Sequence, residues 1–314
     1  MRAVTIRDKN LSVEDHPDPV PGHGEVLVRV KAAGLNGADM MQRRGFYPAP
    51  PGAPQDIPGL ELAGEVIGLG QGADRFAVGD RVMGIVAGGG QAELATVHER
   101  ILMPVPDNLD WVQAGAVPET FTTAQDGIFT QAGLKPGERL LVHGGAGGVG
   151  TAAIQLAHAS GARVTATVRN PDHRDAVAQL GAEVIAPEGF VEHGPFDVIL
   201  ELVGAPNLPS DLEALALWGR IMVIGIGAGA QAELNLGLAM QRRARIYNST
   251  LRVRPLEEKA LTARAMERSV LPLLASGAVR VLIATTYPLE DAVSAYDHFA
   301  SGGKLGNIVL TMGG

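Results

Sequence analysis

The sequence predicts an α/β protein in which a doubly wound parallel sheet is joined to a lobe built mostly of short strands. Three observations predict it. The run from Arg139 to Ser160, RLLVHGGAGGVGTAAIQLAHAS, reads as a buried strand, a glycine-rich turn and an amphipathic helix with no gap between them. From about Pro118 onward, strand patterns alternate with helix patterns, the rhythm of parallel strands joined by crossovers. Before that point, short apolar stretches are punctuated by Pro and Gly, the rhythm of a β-rich lobe.

In the N-terminal part, strands are expected at Ala3–Ile6, Glu25–Ala33, Leu62–Leu69, Asp80–Val86 and Ala92–Val97, with PDPVPGHG, GFYPAPPGAPQDIPG and AGGG as loops in a partly barrel-like lobe. The second part should supply strands at Arg139–His143, Arg163–Val168, Glu183–Ile185, Val198–Leu200, Arg220–Ile224 and Ile246–Ser249. Helices are expected near Val149–Ser160, Asp172–Leu180, Leu208–Leu217 and Leu236–Arg242. A long helix at Leu256–Ser276 and a last strand at Asn307–Thr311 complete the pattern. The expected domains are residues 1–117 with 255–314 for the β-rich lobe, and 118–254 for the dinucleotide-binding sheet.

A chain of 314 residues that is 46% hydrophobic can bury a sizeable core, and its length suits two domains. The net charge of −8 leaves no electrostatic footprint for nucleic acid or an anionic membrane, and the basic cluster Gln241–Arg245 is too short to change that. No apolar run reaches the roughly 20 residues of a membrane span, and MRAVTIRDKN reads as a strand rather than a signal peptide, so a cytoplasmic location is expected. With no cysteine, the chain has no disulfide, no thiolate nucleophile and no thiolate-bound metal.

Gly145, Gly147 and Gly150 match the GxGxxG pattern. The first glycine permits the tight turn, the second lets phosphate approach bare backbone, and the third lets helix pack closely on strand. Together with Ala146, Gly148 and Val149 they should cradle a dinucleotide pyrophosphate at a helix N-terminus. At the end of the next strand, about 20 residues on, a carboxylate would accept from a free ribose 2′-OH. Here Val168 holds that place and Arg169 follows, with Arg174 nearby, so a 2′-phosphate and therefore NADPH is favoured. The alternative leaves Arg169 as a solvated strand-end residue and recruits Asp172 as the acid.

Several blocks carry a wider resemblance: GLNGADMMQRRGFYPAPPG at Gly34–Gly52, GLELAGEVIGLG at Gly59–Gly70, GDRVMG at Gly79–Gly84, PETFTTA at Pro118–Ala124, HGGAGGVGTAAIQLA at His143–Ala157 and NSTLR at Asn248–Arg252. In this order they resemble the medium-chain dehydrogenase/reductase superfamily over essentially the whole chain, in particular its zinc-free quinone oxidoreductase (zeta-crystallin-like) family and the p53-inducible type within it. The resemblance implies a GroES-like catalytic domain beside a Rossmann domain. It also implies that Asn36, Leu60 and Glu119 stand where zinc-dependent members carry metal ligands. Asn and Leu do not make a zinc site, no four-cysteine structural site exists, and the eight histidines offer neither a helical i, i+4 pair nor HExxH. His143 is expected as a strand-end packing residue.

Without a Lewis acid, interconversion of a simple alcohol and ketone loses its main charge stabilisation, so the acceptor must spread the charge itself, as a quinone or enone does. By resemblance, Asn36 offers an amide donor and Tyr47 a hydroxyl to such a substrate. On the residues alone, Asn36 before Gly also suits a turn, and Tyr47 also suits packing under the Pro-rich loop. Met41 stands where many relatives have a second Tyr, which makes the expected pocket more apolar. Cofactor contacts are expected from Thr123, Val203, Gly204, Gly225, Ile226, Gly227, Leu251 and Arg252, with Gly229 a plain loop. Asp39 and Glu61 belong to the family pattern, with an ion pair to Arg43 or Arg81 as the alternative. Lys304 and Asn307 lie where many relatives have Gly-Lys, and Asn307 puts that cofactor contact in question.

The expected function is therefore an NADPH-dependent reductase of quinones. The alternatives are reduction of activated C=C bonds in enones or enoyl thioesters, and a non-catalytic NADPH-binding structural or RNA-associated protein; the acidic balance disfavours a thioester carrier and RNA. A homodimer through the sheet edge near Ile246–Ser249 is expected, because an apolar edge strand leaves unpaired backbone.

Overall fold

The computed structural model describes residues 1–313. It divides into two compact units, Met1–Thr122 with Leu251–Gly314, and Thr123–Thr250.

The first unit opens with β1 (Arg2–Arg7) and β2 (Asn10–Asp15), an antiparallel hairpin. Its two turn residues, Asp8 (φ 48°) and Lys9 (φ 68°), both take left-handed conformations, the geometry of a type I′ turn built without glycine. That missing signal is why β2 is not legible in the sequence. There follow β3 (Glu25–Leu35), α1 (Gly37–Arg43), β4 (Glu61–Leu69), β5 (Arg81–Ile85), β6 (Leu94–His98), β7 (Leu102–Pro104), α2 (Trp111–Ala114) and α3 (Pro118–Gln125).

The second unit holds β8 (Arg139–Val142), α4 (Gly148–Ala159), β9 (Arg163–Thr167), α5 (Arg174–Ala178), β10 (Ala182–Ile185), β11 (Phe196–Glu201), α6 (Leu208–Ala214), β12 (Leu215–Val223), α7 (Leu236–Arg242) and β13 (Arg245–Asn248). Its six strands are all parallel, in the order β10-β9-β8-β11-β12-β13. This is the doubly wound Rossmann order, with its switch point between β8 and β11, and ligands bind such sheets outside the strands' carboxyl ends. Leu141, Ile199 and Ile221 on three adjacent strands pack with Phe190, Phe196 and Leu212 to form its core. The helix expected at Leu208–Leu217 stops at Ala214, because buried Leu215 turns extended (ψ 138°) and pairs with Phe196.

The chain then returns to the first unit through α8 (Leu256–Ser269), α9 (Leu271–Ala275), β14 (Ile283–Pro288), α10 (Ala292–Ser301) and β15 (Asn307–Thr311). The single helix expected at Leu256–Ser276 is broken at Val270. Pro272 has no N–H to continue the ladder of α8, and it is tolerated in the first turn of a new helix that starts at Leu271. The main sheet of this unit runs β14-β15-β3-β4-β5-β7, with β6 also pairing β3. Alternate residues Val26, Val28 and Val30 of β3 point into a core with Leu62, Val66, Val82, Tyr296, Ile308 and Leu310. Among the described residues no helix is long and apolar enough to cross a membrane.

The glycines of the β8–α4 turn divide into those the packing requires and one it does not. A Cβ on Gly150 would lie 2.4 Å from the carbonyl oxygen of Gly144, whereas one on Gly147 would meet nothing nearer than 3.5 Å. Gly150→Ala should therefore destabilise the chain by about 1–3 kcal/mol, as overpacking does, with Gly147→Ala costing far less. Thermal denaturation of the two variants checks this, and equal losses would contradict it.

Candidate functional site

In the second unit, the chain leaves β8, turns at Gly144 (φ 73°) and enters α4. The turn is held by hydrogen bonds from Gly145 N–H to Thr167 O at 3.0 Å, Gly147 N–H to Gly144 O at 3.1 Å and Gly144 N–H to the Thr167 hydroxyl at 3.3 Å. A Cβ on Gly145 would lie 3.0 Å from Ala166 Cβ, so this glycine keeps the turn close to β9. Ala146, Gly147, Gly148 and Val149 remain partly exposed, and the first-turn N–H groups of α4 have no acceptor within the helix. Bare backbone donors at the positive end of a twelve-residue helix fit a dinucleotide pyrophosphate.

At the end of β9, Val168 is buried, Arg169 is exposed, and half-buried Arg174 donates through Nε to Val168 O at 3.1 Å. Among the described residues neither arginine enters an ion pair. Asp172 is exposed on the following turn. The buried hydroxyl of Thr123 finds no hydrogen-bond partner among the described residues, and such a group calls for a ligand or water.

Val203, Gly204 and Gly225 are brought together by one residue the sequence reading left unassigned, Glu201. Its carboxylate accepts from the N–H groups of Val203 and, at 2.7 Å, Gly204, and from the Asn207 amide at 2.9 Å. Its main-chain oxygen accepts from Ile224 and Gly225, both at 3.0 Å. A Cβ on Gly225 would fall 2.0 Å from Leu202 O and one on Gly204 (φ 132°) 2.7 Å from Gly229 O, so the two loops touch backbone to backbone. The loop at Gly229 is not a loose one: its carbonyl accepts from Ala205 N–H at 2.9 Å, and Ala228 N–H donates to Val203 O at 2.9 Å. Ile226 and Gly227 are left exposed at its tip.

Beneath these loops lies a buried group of His143, Glu201 and Asp211, whose ligand-type atoms all fall within 4.8 Å of one another. His143 packs edge-on against Phe190, but it does more than pack: Nε2 meets Asp211 Oδ1 at 2.8 Å and Nδ1 meets Thr167 Oγ1 at 3.1 Å. Burial raises the Glu201 carboxyl above its ordinary range, with His143 opposing the shift. The one sequence signal for this network is an acid ending the apolar run VILE.

In the first unit, α1 begins at the Asn36-Gly37 step. Asn36 N–H donates to Asp39 Oδ2 at 2.9 Å, and the Asn36 side-chain amide donates to Glu61 Oε1 at 2.8 Å. Glu61 Oε2 accepts from Glu119 N–H at 2.8 Å. Asp39 also takes Gly59 N–H at 3.2 Å and the Gln91 amide at 3.4 Å, and Gln91 accepts from Tyr296 Oη at 2.8 Å. The alternative of an ion pair to Arg43 or Arg81 does not form. Arg43 meets Asp297 at 3.5 Å, while Arg81 donates to Leu109 O and stacks on Trp111. Burial pushes Asp39 up to about 6 against its N–H donors, and pushes Glu61 up to about 8, assisted by the charges of Glu119 and Asp39.

Tyr47 is half-buried, and its hydroxyl is pushed up by burial and by Glu119, with Arg252 opposing. Arg252 is 2% exposed and donates within its own unit, as described below. Leu251 beside it and Met41 on α1 are half-buried. Near the C-terminus, Asn307 turns its amide to Leu282 O at 3.1 Å, while Lys304 donates to Gly306 O at 2.7 Å. Burial lowers Lys304 to about 8.

A catalytic zinc does not fit these residues. Asn36 spends its amide on Glu61, Leu60 is an apolar side chain 1% exposed, and Glu119 alone offers a zinc-type donor where about three are needed.

Glu61 makes a testable contribution to pH dependence. Its folded value lies above its unfolded value, so the folded state holds a proton that the unfolded chain releases. Its stabilising contribution is complete at low pH and is lost as pH rises toward about 8. Glu61→Gln should flatten the fall in stability between about pH 5 and 8, where this group contributes up to about 1.4 kcal/mol per pH unit. Denaturant titrations across that range check this, and unchanged slopes would contradict it.

Two family models match the chain: "Alcohol dehydrogenase GroES-like domain" over residues 22–107 and "Zinc-binding dehydrogenase" over residues 148–267. Quinone oxidoreductase of Rattus norvegicus is 31% identical over 306 residues, spanning 94% of this chain and 91% of that protein. Among solved structures, Escherichia coli quinone oxidoreductase complexed with NADPH matches with a TM-score of 0.89 at 27% identity, covering 99% of this chain and 100% of that one. An NAD-dependent alcohol dehydrogenase matches with a TM-score of 0.87 at 28% identity, covering 100% of both chains. The glycine-rich turn on a doubly wound sheet, the β-rich unit and a relative of this similarity over nearly the whole length agree: the chain belongs to the quinone oxidoreductase family of the medium-chain dehydrogenase/reductase superfamily.

Proposed function

We propose that this chain is a cytoplasmic NADPH-dependent oxidoreductase that delivers hydride to a quinone without zinc. The observation that carries the reading is Asn36, whose amide is oriented by buried Glu61 at the place where zinc-dependent relatives hold a metal ligand. One of its amide hydrogens is committed to Glu61, and the other is the donor for a substrate oxygen. A single neutral donor suffices where the acceptor delocalises the incoming charge and falls short where a ketone must carry it on one atom.

Residues around the second unit's switch point bind the cofactor. Gly145, Ala146, Gly147, Gly148, Val149 and Gly150 take the pyrophosphate, and Thr123, Val203, Gly204, Gly225, Ile226 and Gly227 take the nicotinamide half. Arg169 and Arg174 take the 2′-phosphate of NADPH, which supplies the hydride when bound. Tyr47 supplies a proton to the reduced substrate through its half-buried hydroxyl. One solved neighbour is an NAD-dependent alcohol dehydrogenase, and the choice of coenzyme here is assigned to the two arginines.

The β13 edge, with exposed Leu217, Trp218, Leu236 and Met240 in the same unit, is proposed as the contact of a homodimer. Light scattering should then give twice the 32.7 kDa of one chain, and a monomer at micromolar concentration would contradict it.

The reaction is tested by following coenzyme oxidation with 9,10-phenanthrenequinone, 1,4-benzoquinone and 2-alkenals. Turnover of the quinones is expected. Turnover of alkenals alone would assign the chain to reduction of activated C=C bonds, and coenzyme binding with no turnover would make it non-catalytic. For the coenzyme, Arg169→Glu should raise KM for NADPH by about 10-fold or more, the loss of a charge-assisted contact, and leave KM for NADH within about 2-fold. Equal effects on both would remove Arg169 from the 2′-phosphate site.

A further inference from the structure

Arg252 is among the largest side chains fully buried in the chain. Its guanidinium donates to three different segments: Nε to Ala87 O at 2.7 Å, Nη1 to Tyr47 O at 2.8 Å and Nη2 to Gln42 Oε1 at 2.7 Å. All three acceptors are neutral. Among the described residues no carboxylate comes within ion-pairing distance of it, although Asp39 and Glu119 act on it through space. A buried cation without a direct counter-ion is costly, and a neutral side chain of similar size would pack there at less cost.

What the cation gains is control of one residue. Its guanidinium carbon lies 5.2 Å from the centre of the Tyr47 ring, so the same group grips the main chain of Tyr47 and faces its π-system. Gly45 N–H donates to Gln42 O at 2.9 Å and Phe46 N–H to Met41 O at 3.0 Å, which ties the start of this segment to α1. Phe46 is 76% exposed and Pro48, Pro50 and Pro51 have no N–H to donate, so at Tyr47 itself the hydrogen bond to the main-chain carbonyl comes from Arg252. The positive charge also opposes the effect of burial and of Glu119 on the phenol, easing proton release.

We propose that Arg252 is a positioning residue that fixes Tyr47 for proton donation to the reduced substrate, rather than a contact to the cofactor. This rests on the reading of Tyr47 as proton donor given above. Lysine keeps the charge but cannot reach three acceptors with a rigid fork, so Arg252→Lys separates geometry from charge.

The test combines Arg252→Lys, Tyr47→Phe and the double variant, each measured for kcat and KM with 1,4-benzoquinone and for KM with NADPH. Arg252→Lys should lower kcat/KM for the quinone by about 10- to 100-fold, the cost of a misplaced catalytic group, with KM for NADPH within about 2-fold of the parent. In the Tyr47→Phe background the same change should cost no more than about 2-fold, because the group it positions is already gone. Gln42→Leu, which removes one acceptor and keeps the arginine, should produce a smaller loss of the same kind and serves if the lysine variant does not fold. A full additional loss on the Tyr47→Phe background would overturn the proposal alone. Parent-like activity of Tyr47→Phe would overturn the reading of Tyr47 and the proposal with it. A rise of about 10-fold or more in KM for NADPH with quinone kinetics unchanged would return Arg252 to the cofactor site.

Discussion

A buried carboxyl group hydrogen-bonded to an amide, with no cation at its side, is the constraint on which the proposed chemistry of this protein depends. Glu61 is fully enclosed, and it takes its hydrogen bonds from Asn36 and the Glu119 main chain. Asp39 ties the same turn to Gly59 and, through Gln91, to Tyr296 in the core. These hydrogen bonds come from several elements, so the Asn36 amide is oriented by its partners rather than by its own rotamer preference. A neutral donor fixed in this way can stabilise a developing oxyanion, but it does not supply the field of a divalent ion. The proposed restriction to charge-delocalising acceptors rests on that difference in strength.

The second unit meets its own constraint by bringing main chain against main chain. Gly150 against Gly144, Gly204 against Gly229 and Gly225 against Leu202 all leave no room for a Cβ. Glu201 then fixes the loops after β11 and β12 with both its side chain and its carbonyl. His143 and Asp211 lie alongside in the same buried group, and Thr167 links His143 to the Gly144 N–H at the start of the glycine turn. These loops and the glycine turn are thus held by a buried polar network whose members hydrophobic patterning would not select.

Much of this was legible in the sequence. The six parallel strands and the glycine cradle follow from apolar runs of strand length, crossovers of helical period and three glycines at fixed spacing. Elements whose cues are local exceptions were not: β2 follows a type I′ turn with no glycine, and the break at Val270 comes from a proline two residues later inside an otherwise periodic stretch. At the site, Asn36, Asp39 and Glu61 were visible as a family pattern, but their mutual hydrogen bonds were not. Glu201 and Asp211 were hidden because a single acid in an apolar run carries no spacing to read. The sequence pattern suggests Arg252 as a cofactor contact. Its burial against Gln42, Tyr47 and Ala87, which are more than 150 residues away in the chain, was not legible.

The most direct measurement is the ratio of kcat/KM for a quinone to that for a saturated cyclic ketone of similar size, with NADPH in excess. If a fixed amide does the work in place of an ion, 1,4-benzoquinone should be preferred over cyclohexanone by about 10⁴-fold or more, since several kcal/mol of charge stabilisation is missing for the ketone. Comparable turnover of the two would contradict it.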